Sequence, residues 1–294
     1  MPVTTATTSI AAGPVALDVV DLDGVRRFYR DALGLQQRDA GEGVVRLGTE
    51  ERDLVVLHQV EDASPAPRSA GLFHLAILYP GRAELAEALL RLARAGERLD
   101  GASDHLVSEA LYLHDPEGNG IELYRDRPRD EWRHEPNGQV EMATIALDLQ
   151  DLLGAARSDA PEAAIPTEAI VGHVHLQVAD LAATRAFYVD LLGFDVATDG
   201  YPDALFLATG GYHHHVGTNV WRSRGRAAVP GARGLRHATL LYRDAGVRDG
   251  ALERLRAAGH EPVELLDGDP VVRDPSGVAL RLALRERTGL PPSA

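Results

Sequence analysis

Histidines from both halves of the chain and a glutamate from the first half could together bind a metal. His74 and Glu122 lie in the first half, and His173 opens a predicted strand in the second half. Two imidazoles and one carboxylate on one side of a metal leave other coordination positions open, as in non-haem Fe(II) oxygenases. The same ligands also suit Mn(II), Zn(II) or Ni(II), so the ligand types alone do not select the metal. Neither half carries the complete set, and the function therefore depends on how the halves pair.

Internal repeats divide the chain into four segments that begin near residues 14, 71, 171 and 234. The pattern over 21–34 recurs over 180–193, and the pattern over 71–96 recurs over 234–259. Each segment reads as a strand, an amphipathic helix and further strands, because the hydrophobic period changes from two to 3.6 residues along it. The repeats therefore predict four similar modules, two in each half.

The repeats also predict which modules pair. Corresponding positions in the four first strands are Pro14, His74, His173 and His237. In the last strands, Glu122 of the second module corresponds to Arg281 of the fourth. Pairing in chain order would give one cavity two ligands and would put a cation in place of the anion in the other. Pairing the second module with the third gathers His74, Glu122 and His173 in one cavity, and we expect this arrangement.

Period-two alternation places further polar side chains beside these ligands. One face of each strand can line a cavity while the other face packs on the core. A later strand, predicted over 213–220, follows the same rule. The polar faces carry Glu122 with Tyr124, His173 with His175 and Gln177, and His213 with His215 and Asn219.

Four phrases of the sequence together resemble the vicinal oxygen chelate superfamily, and more narrowly the two-domain bacterial catechol 2,3-dioxygenases. The similarity covers nearly the whole chain after residue 13. It implies an α+β fold of four βαβββ modules that pair into two cupped mixed-sheet barrels. The phrases are Gly172-His-Val-His-Leu-Gln-Val, Gly210-Gly-Tyr-His-His-His-Val-Gly, Leu72-Phe-His-Leu-Ala-Ile-Leu and Ser108-Glu-Ala-Leu-Tyr-Leu-His-Asp-Pro-Glu-Gly-Asn-Gly-Ile-Glu-Leu-Tyr.

The resemblance also implies roles for the site residues. The positions that match the family's metal ligands are His74, Glu122 and His173. Tyr112 matches the tyrosine that hydrogen-bonds a substrate or intermediate oxygen in extradiol enzymes, and His215 lies on the strand that carries their acid–base histidine. We predict His215 for that role because Val216 and Val220 mark the opposite face of the strand as apolar. The alternatives and further residues predicted to contact substrate or support the site are His213, His214, His175, His105 and Tyr124.

One departure from the family concerns the source of the ligands. Extradiol enzymes commonly take all three from the C-terminal domain, whereas Arg281 excludes that arrangement here. The resemblance therefore supports the chemistry more firmly than it supports the module pairing, which two chains could also complete between them.

The function implied is an Fe(II)-dependent extradiol dioxygenase, with Mn(II) or another divalent metal as an alternative cofactor. Its partners would be a small aromatic diol and dioxygen, and its product would be of the hydroxymuconic-semialdehyde type. Two alternatives remain on the same fold, because fold alone does not fix function. One is a glyoxalase-type isomerase or a fosfomycin-type thiol transferase on the same metal site. The other is a non-catalytic drug-binding protein.

The composition of the chain excludes several classes of function and site. A net charge of −14 argues against a nucleic-acid-binding surface, and the absence of cysteine excludes thiolate ligands and a thiol nucleophile. No apolar run approaches the length of a membrane span, and the first residues lack a signal-peptide pattern. We therefore expect a cytoplasmic protein, with a homo-oligomer possible. The predicted organisation is a disordered N-terminus over 1–12, a first domain over 13–127, a connector over 128–169, a second domain over 170–286 and a tail over 287–294.

Overall fold

Two mixed β-sheets, flanked by short helices, form the protein. The computed structural model describes residues 8–157, 164–265 and 268–285. The first module contains β1 (Ile10–Val19), α1 (Leu22–Asp31), β2 (Gln36–Gly41), β3 (Val44–Gly48) and β4 (Asp53–Gln59). The second contains β5 (Gly71–Tyr79), α2 (Arg82–Ala95), β6 (Gly101–Asp104), β7 (Ser108–His114) and β8 (Gly120–Asp126).

The second half of the chain repeats this order. A connector precedes it, with a 3₁₀ turn (Arg129–Glu131), β9 (Ile145–Ala146) and α3 (Leu149–Leu153). The third module contains β10 (Ile170–Gln177), α4 (Leu181–Arg185) with a π-helical continuation (Ala186–Leu192), β11 (Asp195–Thr198), β12 (Ala204–Ala208) and β13 (Val216–Asn219). The fourth contains β14 (Gly234–Tyr242), α5 (Ala245–Ala257), β15 (Val263–Glu264), β16 (Pro270–Arg273) and β17 (Ala279–Leu284). The predicted α+β fold of four repeated modules is confirmed.

Aspartate side chains begin the helix of three modules. Asp21, Asp180 and Asp244 each accept a hydrogen bond from a backbone N–H in the first turn of the helix that follows. These bonds satisfy a donor that the helix itself cannot pair. Gly193 ends the third module's helix with a φ of 95°, a left-handed conformation that glycine adopts without strain. Asp180 and Gly193 thus mark the two ends of the third module's helix.

The sheets pair modules across the two halves of the chain. One sheet has the strand order β11-β12-β13-β10-β5-β8-β7-β6-β9, and its centre is the antiparallel pair of β10 with β5. The other has the order β15-β16-β17-β14-β1-β4-β3-β2 and joins the first and fourth modules. The predicted pairing of the two middle modules is therefore confirmed within one chain. A largely continuous apolar core lies against both sheets.

In the sheet of the first and fourth modules, an ion pair occupies the place that corresponds to the carboxylate ligand. Arg281 replaces Glu122 there, and its guanidinium lies 2.7 Å from Asp269, whose side chain is buried. The cation is thus neutralised by protein. Among the described residues, the group of possible metal ligands lies in the other sheet, where Glu122 holds this position.

One predicted boundary differs from the structure. Strand β1 begins at Ile10, so the disordered segment predicted over 1–12 extends too far, while residues 1–7 lie outside the described part of the chain. The tail predicted over 287–294 also lies outside the described residues. Within the connector the helix covers Leu149–Leu153, and Trp132 is buried. Among the helices that the structure describes, none has the length and apolarity to cross a membrane.

Asp115 and Asp274 form matching turns before the last strands of their modules. Oδ1 of Asp274 accepts backbone N–H bonds from Ser276 and Val278, and Tyr188 donates its hydroxyl to Oδ2 at 3.2 Å. Oδ1 of Asp115 accepts two backbone bonds in the same way. In both modules the aspartate carboxylate thus holds the turn together through backbone hydrogen bonds.

We expect Asp274 to make stability depend on pH. Burial raises the pKa of this carboxyl to about 6, so the folded state holds its proton more tightly than the unfolded chain does. Stability is therefore highest below the unfolded pKa and falls as pH rises through about 6. Asp274→Asn keeps an acceptor oxygen and removes the titration. Its stability relative to the unsubstituted protein should increase by about 1–3 kcal/mol between pH 4 and pH 7.

Urea unfolding at a series of pH values measures this difference. The exposed Asp190→Asn is the matched control, since its side chain lies outside the core. A difference between Asp274→Asn and the unsubstituted protein that stays constant with pH would contradict the assignment.

Candidate metal centre

Three buried side chains converge where β5, β8 and β10 run side by side. Nε2 of His74 lies 2.9 Å from Oε2 of Glu122, and Nε2 of His173 lies 3.0 Å from the same oxygen. The three donor atoms all lie within 4.8 Å of one another. The pairing of β5 with β10 and of β5 with β8 brings them together although they are far apart in the sequence. The structure therefore gathers the three predicted ligands at one point.

The protonation states suit a cation. Burial lowers the pKa of His173 to about 4, although Glu122 acts in the opposite direction, so the imidazole is neutral near pH 7. Burial would raise the pKa of Glu122, but the neighbouring His173 and His74 outweigh it and hold that pKa well below its usual range. A deprotonated carboxylate and a neutral imidazole are the forms that bind metals.

Hydrogen bonds among the three side chains do not satisfy all their donor atoms, whereas a bound metal would. Nε2 of His74 is buried and makes no hydrogen bond with suitable geometry, despite its short distance to Glu122. An unsatisfied buried polar atom costs free energy unless another partner is present. Metal–ligand bonds of about 2.1 Å at right angles would place neighbouring donor atoms about 3 Å apart. The two distances to Oε2 agree with that spacing, so the three side chains fit one divalent cation.

A cavity of about 270 Å³ opens beside the candidate ligands and is lined by two of them, His74 and Glu122. Its walls are largely aromatic, with Phe73, Tyr201, Phe206 and Trp221 around the ligand side chains. Two residues of the connector, Met142 and Thr144, and two serines complete the lining, which includes no lysine or arginine. A flat ring of the size of benzene fits such a space, and aromatic walls would pack against its faces.

Tyr112 and His105 form a hydrogen-bonded pair at the cavity wall. The Tyr112 hydroxyl lies 2.7 Å from Nε2 of His105, and Nδ1 of His105 lies 2.6 Å from the backbone oxygen of Ala143. A carbonyl only accepts, so Nδ1 donates to it, and a neutral His105 then accepts from Tyr112 at Nε2. Tyr112 is also the cross-strand partner of Glu122. Both predicted residues thus lie beside the ligands.

His175 lines the cavity from the central strand pair. Its ring centroid lies 5.0 Å from that of His74, its partner across the two strands. A side chain at Gly217 would place a Cβ 2.9 Å from Nδ1 of His175, so this glycine makes room for the ring. Burial lowers the pKa of His175 well below its usual range. Its Nε2 is buried without a partner and can receive a hydrogen bond.

The prediction that His215 faces the cavity is wrong. Nδ1 of His215 accepts from the backbone N–H of Thr209 at 3.3 Å, its ring lies 4.8 Å from that of Tyr212, and it is not among the residues that line the cavity. His214 lines the cavity instead, with its ring centroid 4.0 Å from that of His173. The reason is local: β13 begins only at Val216, so the three histidines lie in the preceding turn, where alternation with period two does not hold.

A chain of hydrogen bonds connects His214 with a carboxylate that the sequence analysis did not select. Nδ1 of His214 lies 2.8 Å from Nδ1 of His213, and Nε2 of His213 lies 2.9 Å from Oδ1 of Asp126. A carboxylate only accepts, so His213 donates to Asp126 through Nε2. With a single proton on His213, its Nδ1 accepts from Nδ1–H of His214, and Nε2 of His214 is left with a lone pair. We define Asp126, His213 and His214 as the relay.

Tyr124 supports this arrangement from behind. Its ring lies 4.8 Å from that of His173, and its hydroxyl lies 2.9 Å from that of Tyr212. Tyr212 in turn donates its hydroxyl to Asp126 at 3.0 Å. Neither Tyr124 nor His213 is among the residues that line the cavity, although His213 contacts His214, which does. Alternation along β8 could have identified Asp126, because residues 122, 124 and 126 share one face of that strand.

Comparison with known proteins shows to which family the chain belongs. A model of the Glyoxalase/Bleomycin resistance protein/Dioxygenase superfamily matches residues 12–123 and 170–282. The chain belongs to this superfamily.

Relatives within the superfamily include catechol-2,3-dioxygenase of Bacillus subtilis (strain 168), to which the chain is 38% identical over 268 residues. That match covers 90% of this chain and 93% of the relative. The predicted resemblance to catechol 2,3-dioxygenases is confirmed by this relationship, and so is the expectation of a dioxygenase-like enzyme.

Solved structures of superfamily members share the fold. A proposed dioxygenase from Bacillus subtilis superposes with a TM-score of 0.65 at 13% identity, over 97% of this chain and 92% of the other. Glyoxalase I from Zea mays superposes with a TM-score of 0.58 at 15% identity, over 95% and 93% of the two chains. At these identities the superpositions establish the fold alone.

Proposed function

We propose that this member of the superfamily is an Fe(II)-dependent extradiol dioxygenase that cleaves the ring of a catechol beside its two hydroxyls. One observation carries the proposal. His74, Glu122 and His173 converge beside an aromatic cavity, and His74, Glu122, His214 and Tyr112 line that cavity. The relationship to catechol-2,3-dioxygenase of Bacillus subtilis supports the same reaction.

The mechanism assigns the metal to the three converging side chains. His74, Glu122 and His173 would hold the Fe(II), which would supply Lewis acidity toward the catechol oxygens and electrons for the reaction with dioxygen. Both oxygen atoms of dioxygen enter the product, so the reaction needs no external reductant. The product retains one enol and gains an aldehyde and a carboxylate, as in hydroxymuconic semialdehydes.

His214 is the general base in this mechanism. Burial lowers the pKa of its imidazole well below its usual range, so the ring is neutral near pH 7. Nε2 carries the lone pair in the tautomer that the relay favours, and it can take the proton of a catechol hydroxyl and later return it. His213 and Asp126 hold the ring in that tautomer through the two hydrogen bonds described above.

Tyr112 orients a substrate oxygen. Its hydroxyl donates to Nε2 of His105, which leaves its oxygen lone pairs to accept from a substrate hydroxyl. Burial raises the pKa of Tyr112 well above its usual range, so the hydroxyl keeps its proton. Phe73, Phe206 and Trp221 exclude water from the ring while it opens.

The competing functions use the same fold. A glyoxalase-type isomerase or a fosfomycin-type thiol transferase would use the same ligands, and the superposition with glyoxalase I cannot separate these functions. The relay and the pair of Tyr112 with His105 favour the dioxygenase, because they place a proton acceptor and a hydroxyl beside the ligands. A protein that only bound a drug would not need the buried group of His74, Glu122 and His173.

Anaerobic loading with Fe(II), followed by oxygen uptake over a panel of catechols, tests the proposal. We expect one oxygen consumed per catechol and a rise in absorbance from the ring-opened semialdehyde. Protein loaded with Zn(II) is the matched control and should consume no oxygen. Turnover of a glutathione hemithioacetal with Zn(II) or Ni(II), without oxygen uptake on any catechol, would establish the isomerase instead.

A further inference from the structure

A wide groove adjoins the metal cavity and shares a wall with it. The groove encloses about 1430 Å³, and Phe73 and Trp221 line both spaces. Their rings meet edge to face, with centroids 5.3 Å apart. Trp221 is 47% exposed, so the indole lies at the surface between the two spaces. A substituent on a ring bound in the cavity could pass this pair into the groove.

The groove has a positive charge in an acidic protein. The chain carries a net charge of −14, yet seven arginines and only three carboxylates line the groove. Each carboxylate lies beside one arginine. The pairs are Asp203 with Arg224, Glu117 with Arg233, and Asp18 with Arg236.

Three of the other arginines have no acidic partner among the described residues. These are Arg68, Arg222 and Arg226, while Arg273 donates to the backbone oxygen of Gly277. Cations gathered in a concave surface focus a positive potential there and raise the local concentration of anions. The guanidinium fork also matches the two oxygens of a carboxylate.

The metal cavity has no cationic side chain that could neutralise an anionic substituent on a bound ring. Its walls are aromatic and neutral apart from the ligand set, and no arginine or lysine lines it. Its volume of about 270 Å³ accommodates one ring with little more. An anionic group attached to the ring would therefore be favoured in the groove and disfavoured in the cavity.

We propose that the arginine-lined groove binds an anionic substituent of the catechol, so that the preferred substrates are catechols with a carboxylate on a short side chain. This inference rests on the proposed ring-cleavage function and specifies its substrate class. The ring packs in the aromatic cavity, the side chain passes Phe73 and Trp221, and the carboxylate pairs with Arg222 or Arg226.

A matched pair of substrates tests this inference in the Fe(II)-loaded protein. 3,4-Dihydroxyphenylacetate and 4-methylcatechol share the ring and differ by the carboxylate. We expect kcat/KM for the acid to be higher by about tenfold, mainly through KM, and to fall as NaCl rises from 50 to 500 mM. The neutral catechol should show little dependence on salt.

Arginine variants locate the effect. Arg222→Gln and Arg226→Gln should each raise KM for the acid about three- to tenfold and leave 4-methylcatechol unchanged. Arg27→Gln on α1 is the control, since that exposed side chain lies outside the groove. An equal effect in the control, or equal kcat/KM for the two catechols, would overturn the proposal.

A binding measurement separates this proposal from the function on which it rests. Trp221 is half-exposed and Trp132 is buried, so tryptophan fluorescence under anaerobic conditions should respond when the acid binds at the groove. If no catechol consumes oxygen but the acid binds with an affinity that Arg222→Gln weakens, the ring-cleavage function is wrong and the groove site stands. If 4-methylcatechol is cleaved and the acid neither binds more tightly nor depends on Arg222, the groove proposal is wrong and ring cleavage stands.

Discussion

Replacing Glu122 with alanine is expected to abolish tight binding of a divalent metal and to lower ring cleavage by at least about a thousandfold. Glu122 is the only anion of the three converging side chains, and both imidazoles face its Oε2. Without it, a divalent cation would keep two neutral ligands and its full charge in a buried place. Burying a cation without a compensating anion is costly.

Metal content after anaerobic loading and dialysis measures this effect, and oxygen uptake measures the lost activity. Circular dichroism and thermal unfolding should show that the variant is folded, because alanine at a buried strand position leaves no charge unpaired. His237→Ala is the matched control. His237 holds the equivalent place in the other sheet, beside strand β17 with Arg281, and its loss should leave the metal content unchanged.

The control also decides where the metal lies. If Glu122→Ala retained one equivalent of metal, or if His237→Ala lost it, the centre would not be the one formed by His74, Glu122 and His173. Glu122→Gln adds a finer test. The amide keeps the shape of the carboxylate without its charge, so metal loss in this variant assigns the effect to charge.

The ligand set could be predicted from sequence because repetition supplies information that a single motif lacks. When the first strands of the modules are aligned, His74 and His173 hold corresponding positions. Arg281, in place of the glutamate, excluded metal binding in the fourth module. The module pairing followed from charge alone. The sheet order then placed the two histidine strands side by side, which is a long-range consequence of that pairing.

Other residues of the site could not be predicted from the alternation of polar and apolar residues. Met142, Thr144 and Tyr201 reach the cavity from connecting segments, where no regular spacing tells which way a side chain points. The exchange of His214 for His215 has the same origin, since the turn before β13 does not follow the pleat of a strand. Asp126 differs, because the alternation that selected Glu122 and Tyr124 extends to it.

The relay makes Asp126→Asn the second large expected effect. In this variant kcat should fall about a hundredfold, with KM and metal content nearly unchanged, because general acid–base catalysis contributes on that scale. Oδ1 of Asp126 accepts from His213, and an asparagine amide can instead donate to the same nitrogen. His213 would then hold its proton on Nδ1 and donate to His214. The proton of His214 would move to Nε2, and the lone pair that takes the substrate proton would be lost from the cavity.

Two further variants test the order of the relay. His213→Leu removes the acceptor for Nδ1–H of His214 and should lower kcat as much as Asp126→Asn does. His213→Asn retains an amide oxygen near the place of Nδ1, so it should recover part of that loss. Asp126→Asn should add little to His213→Leu, since both changes act through the same hydrogen bonds.

A measurement on the metal-free protein distinguishes this role from a purely structural one. Nitrogen-15 chemical shifts of His214 report which ring nitrogen carries the proton, and they should show Nδ1–H in the unsubstituted protein and Nε2–H in Asp126→Asn. An unchanged tautomer with the expected loss of kcat would show that Asp126 acts only on packing, through its bond to Tyr212. An unchanged kcat would contradict the proposed role of Asp126 in fixing the tautomer of His214. In the proposed mechanism, the lone pair of His214 therefore depends on a carboxylate two strand positions beyond Tyr124, on the strand that also carries Glu122.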